Sequence, residues 1–444
     1  MDNIEEKIIN IIDRNRGRII DFAKDILANP ELGYKEIRTA KKVSEILREL
    51  LEELETNLAI TGVKGYLKKK NSEDLNVAII GELDAIVVPK NQHANKETGA
   101  CHACGHNAQL AGLIGTAIAL SDSEVRNSFK GNISFFAVPS EEYGEIEYKL
   151  SLKDKGLIKY GGGKSELIRI GAFDGIDISI VHHLDPSNYD IGIGDKSNNG
   201  FVSKLTRYKG KASHAAASPH LGINAVNASS IGLSSIAFQR ETFKESDTVR
   251  VHSIITKGGG LVNVIPDEVV IESLVRANNI EAIVDTSKKV DRALKAGALA
   301  VGAKVEIKTE PGYLPVIPLE PSQVMIDIAN ELLPNGNIVI TKKEDHSEGS
   351  SDVGDLTHIM PVLKFSTGGC SGQLHSSDFN IVDEEISYII TAKMMALTAY
   401  RILRDNNNEA KKIINDFKQK FTIKEYKDYM DNLENTIEIN YKNE

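Results

Sequence analysis

The stretch NVAIIGELDA, residues 76–85, is an apolar run that ends on acidic residues, the last of them Asp84. Its branched apolar residues predict a buried strand. Three further stretches have the same character: NISFFAVPSEE (132–142), DISIVHHLD (177–185) and VLKFSTGG (362–369). Each of these runs stops where residues that can bind metals begin. Because ligands bind beyond the carboxyl ends of the strands in doubly wound α/β sheets, the pattern predicts such a sheet with a site along one edge.

The composition is that of a globular protein with more than one domain. The chain has 444 residues, 41% of them hydrophobic and 26% charged, and this length predicts two domains. It has no run of about 18 apolar residues, so we expect no membrane span. A net charge of −10 argues against a nucleic-acid partner. Three cysteines cannot build a disulfide framework, and the acidic N-terminus lacks a signal-peptide pattern, so we expect a cytoplasmic protein.

Residues 200–310 have a different rhythm from the rest of the chain. Their pattern predicts a strand, a helix, two strands joined by a Gly-rich loop, a second helix and a last strand. That order is the βαββαβ (ferredoxin-like) unit, which can fold alone. We therefore expect an α/β catalytic domain with a doubly wound mixed sheet, residues 1–198 and 312–444, and an inserted domain, residues 199–311. The polar tail, residues 404–444, is expected to be helical.

The stretch GACHACGHNAQLAGL (99–113) places two cysteines and two histidines within six positions. Alone, it fits a metal site, a thioredoxin-like redox pair or a crowded turn. Other strand ends and loops add Glu141, Glu142, the pair His182–His183 and, in GQLHSSDF, His375. A single zinc ion needs about three protein ligands and a water. The inventory exceeds that number, so two metal ions that share a bridging ligand fit it better.

The adjacent glutamates of PSEE predict a division of roles. Neighbouring side chains on a regular strand point to opposite faces. A bend there would let Glu142 bind metal while Glu141 reaches a bound water. Glu141 would then act as a general base, which contributes about 10²–10⁴-fold to a rate. A Glu-Glu pair is usually solvated surface, and its position after an apolar run is what favours a site here.

Five motifs occur in an order that resembles one family. They are CHACGH, PSEE, GKASHAAASPHLGINA, GGGLVNVIPDEV and LHSSDF. In this order they resemble the dinuclear-metal amidohydrolases, which include aminoacylase, carboxypeptidase G and the indole-acetyl-amino-acid hydrolases. The resemblance spans about residues 15–400. GELDA, CGHN, GYLP and GSSDVGDLTH further resemble the branch of aminobenzoyl-glutamate hydrolase and the β-alanyl dipeptidases.

The resemblance implies a role for each candidate near the strand ends. Five residues match the family's metal ligands: Cys104, His106, Glu142, His183 and His375. Glu141 matches the general base, and Asp84 matches the acid after the first strand, which supports the site without binding metal. His183 is preferred to His182 because of its spacing from the preceding aspartate. Cys101 and His102 are not expected to bind metal.

Three more matches lie in the inserted domain, which the family uses as a lid and for dimerisation. His214 in ASHAAA matches a histidine that reaches the active site of the other subunit and stabilises the oxyanion. Asn263 in VNVIPD and Arg276 in SLVRA match residues that contact substrate, and a planar guanidinium suits a carboxylate. Without the motifs, all three would be interpreted as turn, helix-start or surface residues. The resemblance thus implies a homodimer that binds two divalent metal ions, zinc or manganese.

Three features depart from the family. Asn107 stands where many members have Asp, and Glu82 stands where other branches have a metal-binding histidine. The segment between Glu142 and GGGKSELIRIGAFDG is longer than usual. A segment that follows a catalytic glutamate should lie near the mouth of the site, so we expect residues 145–160 to shape the choice of substrate.

These inferences predict a metal-dependent enzyme that hydrolyses the amide bond of small N-acyl amino acids or dipeptides, such as aminobenzoyl-glutamate or a β-alanyl dipeptide. A free-amine dipeptidase or aminopeptidase is an alternative. It needs an acid for the substrate ammonium: Glu82, Glu145 or Asp352. A non-catalytic metal- or peptide-binding protein, and a redox protein that uses the C-x-x-C pair, are alternatives from other classes. Glu141 argues against the binding protein, which has no use for a general base.

Overall fold

The computed structural model describes residues 1–71 and 74–441. Its helices are α1 (Asn3–Arg14), α2 (Arg16–Ala28), α3 (Ile37–Leu50), α4 (His106–Leu120), α5 (Ser123–Asn127), α6 (Ile146–Asp154), α7 (Gly163–Arg169), α8 (Ala225–Phe238), α9 (Ile280–Val301), α10 (Gln323–Leu332), α11 (Val353–Thr357), α12 (Thr391–Asp416) and α13 (Ile423–Leu433). The strands of its two large sheets are β1 (Glu53–Leu58), β2 (Gly62–Tyr66), β3 (Asn76–Glu82), β4 (Asn132–Val138), β5 (Ile178–Leu184), β6 (Ile191–Ile193), β7 (Gly200–Lys209), β8 (Arg250–Lys257), β9 (Glu268–Ala277), β10 (Lys304–Pro311), β11 (Ile338–Ile340), β12 (Val362–Thr367) and β13 (Asn435–Asn440).

The larger sheet has eight strands in the order β1-β2-β4-β3-β5-β12-β6-β11. Its centre consists of β4, β3, β5 and β12, which run parallel to one another. These are the four apolar runs that the sequence predicts as strands. Antiparallel pairing of β2 with β4 and of β6 with β12 makes the sheet mixed. The prediction of an α/β fold with a mixed sheet is confirmed.

Helices cover both faces of this sheet. One face packs against α1, α2, α4, α10 and α12, and the other against α7, α11 and α13. Helix α4 is buried along its whole length, because its residues are almost all small or apolar. A Cβ on its Gly115 would lie 2.6 Å from Cβ of Ala392 in α12. The small residues therefore let α4 and α12 pack closely, which fixes the first residue of α4, His106, at the carboxyl edge of the sheet.

Among the described residues, one helical stretch, Glu385–Asp416, is long and apolar enough to cross a membrane. It includes α12, and 94% of its most apolar window is buried inside the protein. It packs against α4, α10 and α1. Its apolar side chains are therefore buried against other helices in the core of this protein.

The smaller sheet has five antiparallel strands in the order β8-β9-β7-β10-β13. From β7 to β10 the chain runs strand, helix, strand, strand, helix, strand. The fifth strand, β13, comes from the tail that we expected to be helical, and this expectation was wrong for residues 435–440. The alternating Ile437 and Ile439 of β13 pack against the core of the smaller sheet, as one face of a strand does. Residues 423–433 of the tail are helical.

Candidate metal and catalytic site

The candidate site lies along the carboxyl edge of the central strands. Asp84 follows β3, Glu141 and Glu142 follow β4, and His183 lies near the end of β5. The turn into α4 is tight, since Gly105 has a left-handed φ of 81° and a Cβ there would lie 2.6 Å from Cδ1 of Leu184. Only glycine fits this position without strain.

The structure brings the five predicted metal ligands together from four separate segments of the chain. Sγ of Cys104 lies 3.2 Å from Nε2 of His183 and 3.2 Å from Nε2 of His375. Nε2 of His375 lies 3.0 Å from Oε1 of Glu142. Two groups of donor atoms that lie within 4.8 Å of each other contain Cys104: one is Cys104, His106 and His183, and the other is Cys104, Glu142 and His375. Glu82, His106 and Glu141 form a further group without the cysteine. Cys104 belongs to both of the first two groups, so its sulfur is the candidate bridging ligand.

The donor atoms of the two groups that contain Cys104 fit divalent cations. Oε1 of Glu142 and Nε2 of His106 are buried and have no hydrogen-bond partner among the described residues. Each nevertheless lies 3.0 Å from a charged or ionisable neighbour, His375 and Glu82 respectively. Buried nitrogen, sulfur and oxygen atoms that converge in this way are typical of metal ligands. A set of thiolate, imidazole and carboxylate donors suits zinc.

The electrostatics of the donors lead to the same conclusion. Burial acts to raise the pKa of the Cys104 thiol, but the imidazoles of His183, His106 and His375 lower that pKa well below its usual value. The sulfur is therefore held as a thiolate, the form that binds metals. Burial and the thiolate together raise the pKa of Glu142. A buried site crowded with anionic donors is stabilised by a cation.

Asp84 supports both halves of the site. Its carboxylate accepts hydrogen bonds from the backbone N–H groups of Glu141 at 3.1 Å and Glu142 at 2.9 Å. Its backbone carbonyl lies 2.8 Å from Nδ1 of His106. That bond places a proton on Nδ1 and leaves Nε2 free to bind a metal. The geometry fits the predicted supporting role of Asp84.

Glu141 is buried beside the candidate ligands. The preceding Ser140 has a left-handed φ of 49°, which produces the predicted bend, and both glutamates line the same cavity. The hydroxyl of Tyr313 donates to the backbone carbonyl of Glu141. Burial and the charges of Glu82 and Glu142 raise the pKa of Glu141 well above its usual value. A raised pKa suits a carboxylate that must accept a proton and then release it.

A buried ion cluster lies behind the site, and sequence reasoning missed its central member, Lys164. Nζ of Lys164 lies 2.5 Å from Oε1 of Glu82 and 2.5 Å from Oδ1 of Asp352. The other oxygen of Glu82 accepts from Gln109 at 2.8 Å. No motif indicated this contact, because Lys164 and Asp352 are 188 residues apart. Glu82 and Asp352 are thus taken up by Lys164, which argues against either as the partner of a substrate ammonium.

The histidines and the amide that were not expected to bind metal lie outside all of these groups. Nε2 of His182 lies 2.7 Å from the hydroxyl of Thr367. His102 is buried, and neither ring nitrogen has a partner in the part of the chain that the structure describes. Nδ2 of Asn107 donates to the hydroxyl of Tyr388 at 3.2 Å. The Asn107 side chain therefore points toward Tyr388 and away from the candidate ligands.

The inserted segment supplies one of its three predicted residues to the cavity. Arg276 lines it, donates to Oγ of Ser350 at 2.9 Å and lies 5.3 Å from the centre of the Phe201 ring. His214 and Asn263 are exposed and do not line it. Nδ1 of His214 instead accepts N–H groups from its own turn. Within one chain, the structure does not bring these two residues to the site.

Comparisons with known proteins agree with the geometry. The sequence profile of the peptidase family M20/M25/M40 matches residues 78–401, which include the candidate ligands and both glutamates. The chain belongs to this family. As an M20 peptidase it is a hydrolase of amide bonds, which confirms the predicted class of enzyme and the resemblance seen in the motifs.

Individual relatives of this M20 protein cover almost its whole length. An N-acetyl-L-cysteine deacetylase of Bacillus subtilis is 25% identical over 408 residues, which cover 89% of this chain and 90% of that protein. A Xaa-Arg dipeptidase of Mus musculus is 26% identical over 422 residues, with 88% and 87% covered. The crystal structure of a dinuclear metal-binding M20 peptidase, YXEP of B. subtilis, matches with a TM-score of 0.60 and 23% identity, and covers 88% of this chain and 99% of that one. The last match shows a shared fold.

Proposed function

We propose that this M20 protein hydrolyses the amide bond of N-acyl amino acids or dipeptides with the help of two divalent cations. Five residues would hold the cations: Cys104, His106, Glu142, His183 and His375. The donor set favours zinc, and its carboxylate also admits manganese. The name of its structural relative YXEP, a dinuclear metal-binding peptidase, supports the number of cations.

One observation carries the proposal. A single cavity of about 700 Å³ is lined by Glu141, by candidate ligands and, from the inserted segment, by Arg276. The cavity therefore combines a base, a cation-binding group and a cationic side chain that can pair with a carboxylate. A substrate with an amide bond next to a free carboxylate matches all three.

The chain's own residues divide the chemistry between them. Cations bound at the five ligands would polarise the scissile carbonyl and acidify water. Glu141 accepts the proton of the attacking water and passes it to the nitrogen of the leaving amine. Arg276 pairs with the carboxylate of the leaving amino acid, and Asp84 keeps the backbone of both glutamates in place.

We further propose that the active enzyme is a homodimer in which His214 and Asn263 act on substrate in the site of the second copy. Both are exposed in the single chain. Large apolar side chains close to Asn263 in the chain are exposed as well: Leu261 and Val262 in the same loop and Ile254 in β8, with 69%, 101% and 62% of their surface exposed. Exposed apolar residues that cluster in this way mark interaction sites. We place the dimer in the cytoplasm, as the sequence leads us to expect.

The substrate range is the finer part of the proposal. Relatives named for an N-acetyl amino acid and for a Xaa-Arg dipeptide support N-acyl amino acids and dipeptides as the two groups to test, with aminobenzoyl-glutamate and β-alanyl dipeptides as the first choices. Of the acids considered for a free-amine substrate, Glu82 and Glu145 line the cavity. Glu82 is bound to Lys164, which leaves Glu145, and Glu145 is paired with Lys35 at 2.7 Å. The ammonium would have to displace Lys35.

The test is release of amine from a panel of amides by protein loaded with zinc or manganese. The panel contains aminobenzoyl-glutamate, β-alanyl-lysine, N-acetyl amino acids and indole-acetyl conjugates, and Glu141→Gln is the control. Hydrolysis of any member that Glu141→Gln abolishes supports the proposal. No amine release from any member of the panel, or hydrolysis that the Glu141→Gln variant still catalyses, contradicts it.

A further inference from the structure

Glu141 and Glu142 lie in a turn, residues 139–143, that we call the glutamate turn. Its backbone groups are held by side chains from several parts of the fold. The N–H of Ser140 donates to Oε1 of Glu36 at 2.8 Å. The N–H groups of both glutamates donate to Asp84, and the carbonyl of the first accepts from Tyr313. The backbone conformation of the turn is therefore fixed by hydrogen bonds to side chains outside it.

Lys149 makes a further contact with this turn. Its Nζ donates to Oγ of Ser140 at 2.7 Å, to the backbone carbonyl of Glu142 at 3.1 Å and to the carbonyl of Gly161 at 2.8 Å. These three bonds use every proton of the ammonium. The side chain is 5% exposed. Lys149 thus grips the turn on both sides of Glu141.

Lys149 belongs to α6 (Ile146–Asp154), which lies in the segment, residues 145–160, that we expected to shape the choice of substrate. The same helix packs on the smaller sheet, where Ile146 and Leu150 form a small apolar cluster with Leu205 of β7 and Val270 of β9. The helix therefore touches the glutamate turn with one residue and the smaller sheet with others.

Polar contacts strengthen the attachment of α6 to the smaller sheet. The N–H of Glu147 donates to Oε1 of Glu272 in β9 at 3.1 Å. Nζ of Lys153 lies 2.5 Å from Oε2 of Glu310 in β10. Contacts with three strands fix the position of α6 relative to this sheet.

We propose that Lys149 is a positioning residue for Glu141 and Glu142, and that α6 makes this positioning depend on where the smaller sheet lies relative to the glutamate turn. The inference rests on the proposed function, since it assigns the two glutamates their roles. Burial of an ammonium is costly unless it is fully hydrogen-bonded. An apolar residue at this position could pack α6 against its neighbours without the free-energy cost of burying a charge. The presence of a lysine therefore indicates that its hydrogen bonds to the glutamate turn matter.

The test compares Lys149→Met with a matched variant, Lys155→Met, in which an exposed lysine just after α6 is replaced. The wild type and both variants are loaded with cobalt, and the visible absorption of the cobalt site is recorded beside kcat and KM for the best amide. We expect Lys149→Met to lower kcat at least 10-fold with KM within threefold, and to change the cobalt spectrum because Glu142 shifts. Lys155→Met should match the wild type in all three readouts.

Two outcomes would overturn the inference: a wild-type cobalt spectrum in Lys149→Met, or a kcat within twofold of wild type. If Lys149→Met does not fold, Ser140→Ala removes only the hydroxyl that Lys149 grips, and it must then alter the spectrum and lower kcat about threefold. If the wild type hydrolyses no amide, the proposed function fails, and the cobalt spectrum alone decides whether Lys149 positions Glu142.

Discussion

At the scale of single residues, Lys164 shows how a buried charge can hold a site together. Its ammonium lies between the carboxylates of Glu82 and Asp352, and all three side chains are almost completely buried. Burial acts to lower the pKa of Lys164, but Asp352 and Glu82 raise it, so the lysine stays charged. One ammonium therefore pairs with two carboxylates beside the candidate ligand His106.

Replacing Lys164 by methionine should destabilise the protein by about 3–5 kcal/mol, because loss of one partner leaves buried charges uncompensated. The double variant Lys164→Met/Asp352→Asn should recover part of this loss, since it removes one of the two unpaired carboxylates. Urea unfolding of the metal-free proteins measures both effects. A single variant as stable as the wild type, or a double variant less stable than the single one, would show that the cluster does not act as an ion network.

A second buried lysine, Lys64, gives a pH dependence away from the site. Its ammonium donates to the carbonyl of Ala172 at 2.6 Å, and burial lowers its pKa from 10.5 to about 8. Between pH 8 and 10.5 the unfolded chain keeps a proton that the folded protein has released. The stability of the folded protein therefore rises with pH across this window.

Relative to Lys64→Met, the wild type should gain up to about 3 kcal/mol of unfolding free energy between pH 7.5 and pH 11, at 1.36 kcal/mol per pKa unit. Below pH 8 the methionine variant should be the more stable of the two. Urea unfolding at several pH values provides the comparison, in which the titration of all other groups cancels. Parallel curves for the two proteins would contradict the lowered pKa.

The residues of the site divide into those that the sequence could reveal and those that it could not. Cys104, His106 and Glu142 stand in short motifs, so their chemistry could be inferred from neighbours in the chain. Lys164 stands in a stretch with no role implied for the lysine, and its partner Asp352 is 188 residues away. The partners of Lys149 are only 7 to 12 residues away, but no residue pattern links them to it. A charged residue whose partner is distant in sequence looks like an ordinary surface residue until the fold is known.

At the scale of elements, the central strands were predictable because each is an apolar run that ends abruptly. β13 was not predictable, because only two of its six residues, Ile437 and Ile439, are apolar and partly buried. Its pairing with β10, from Lys304↔Asn440 to Thr309↔Asn435, depends on an edge strand that lies over 120 residues earlier in the chain. Local pattern alone could not show that this edge was open.

Removal of residues 435–444 should expose the edge of β10 and lower the melting temperature by several degrees, with a tendency to aggregate, because an unpaired strand edge templates further pairing. A chain that ends at Tyr441 is the matched control and keeps β13. Thermal unfolding and light scattering of the two proteins measure the effect. Equal melting temperatures and equal scattering would mean that β13 does not support the smaller sheet.

At the scale of the whole molecule, the proposed active enzyme contains two copies of the chain. The cavity contains Glu141 and Arg276 but lacks His214 and Asn263. A site that needs all four is complete only if the smaller sheet of a second copy supplies the last two. Mutations in the two groups should therefore complement each other between subunits.

Glu141→Gln and His214→Ala should each be nearly inactive, yet a refolded 1:1 mixture should regain about a quarter of wild-type activity, since half of the dimers are mixed and each has one intact site. Size-exclusion chromatography confirms that dimers have formed. A mixture as inactive as its components would show that His214 does not act across subunits.

Dependence of amide hydrolysis on two cations is tested most directly by titrating the metal-free protein with zinc while amine release is followed. Activity should be absent without metal, rise with added zinc and reach its plateau at two equivalents per chain, with Glu141→Gln inactive throughout although it binds the same two equivalents. Full hydrolysis by the protein in the presence of a chelator, or a chain that binds no zinc, would contradict the proposed function.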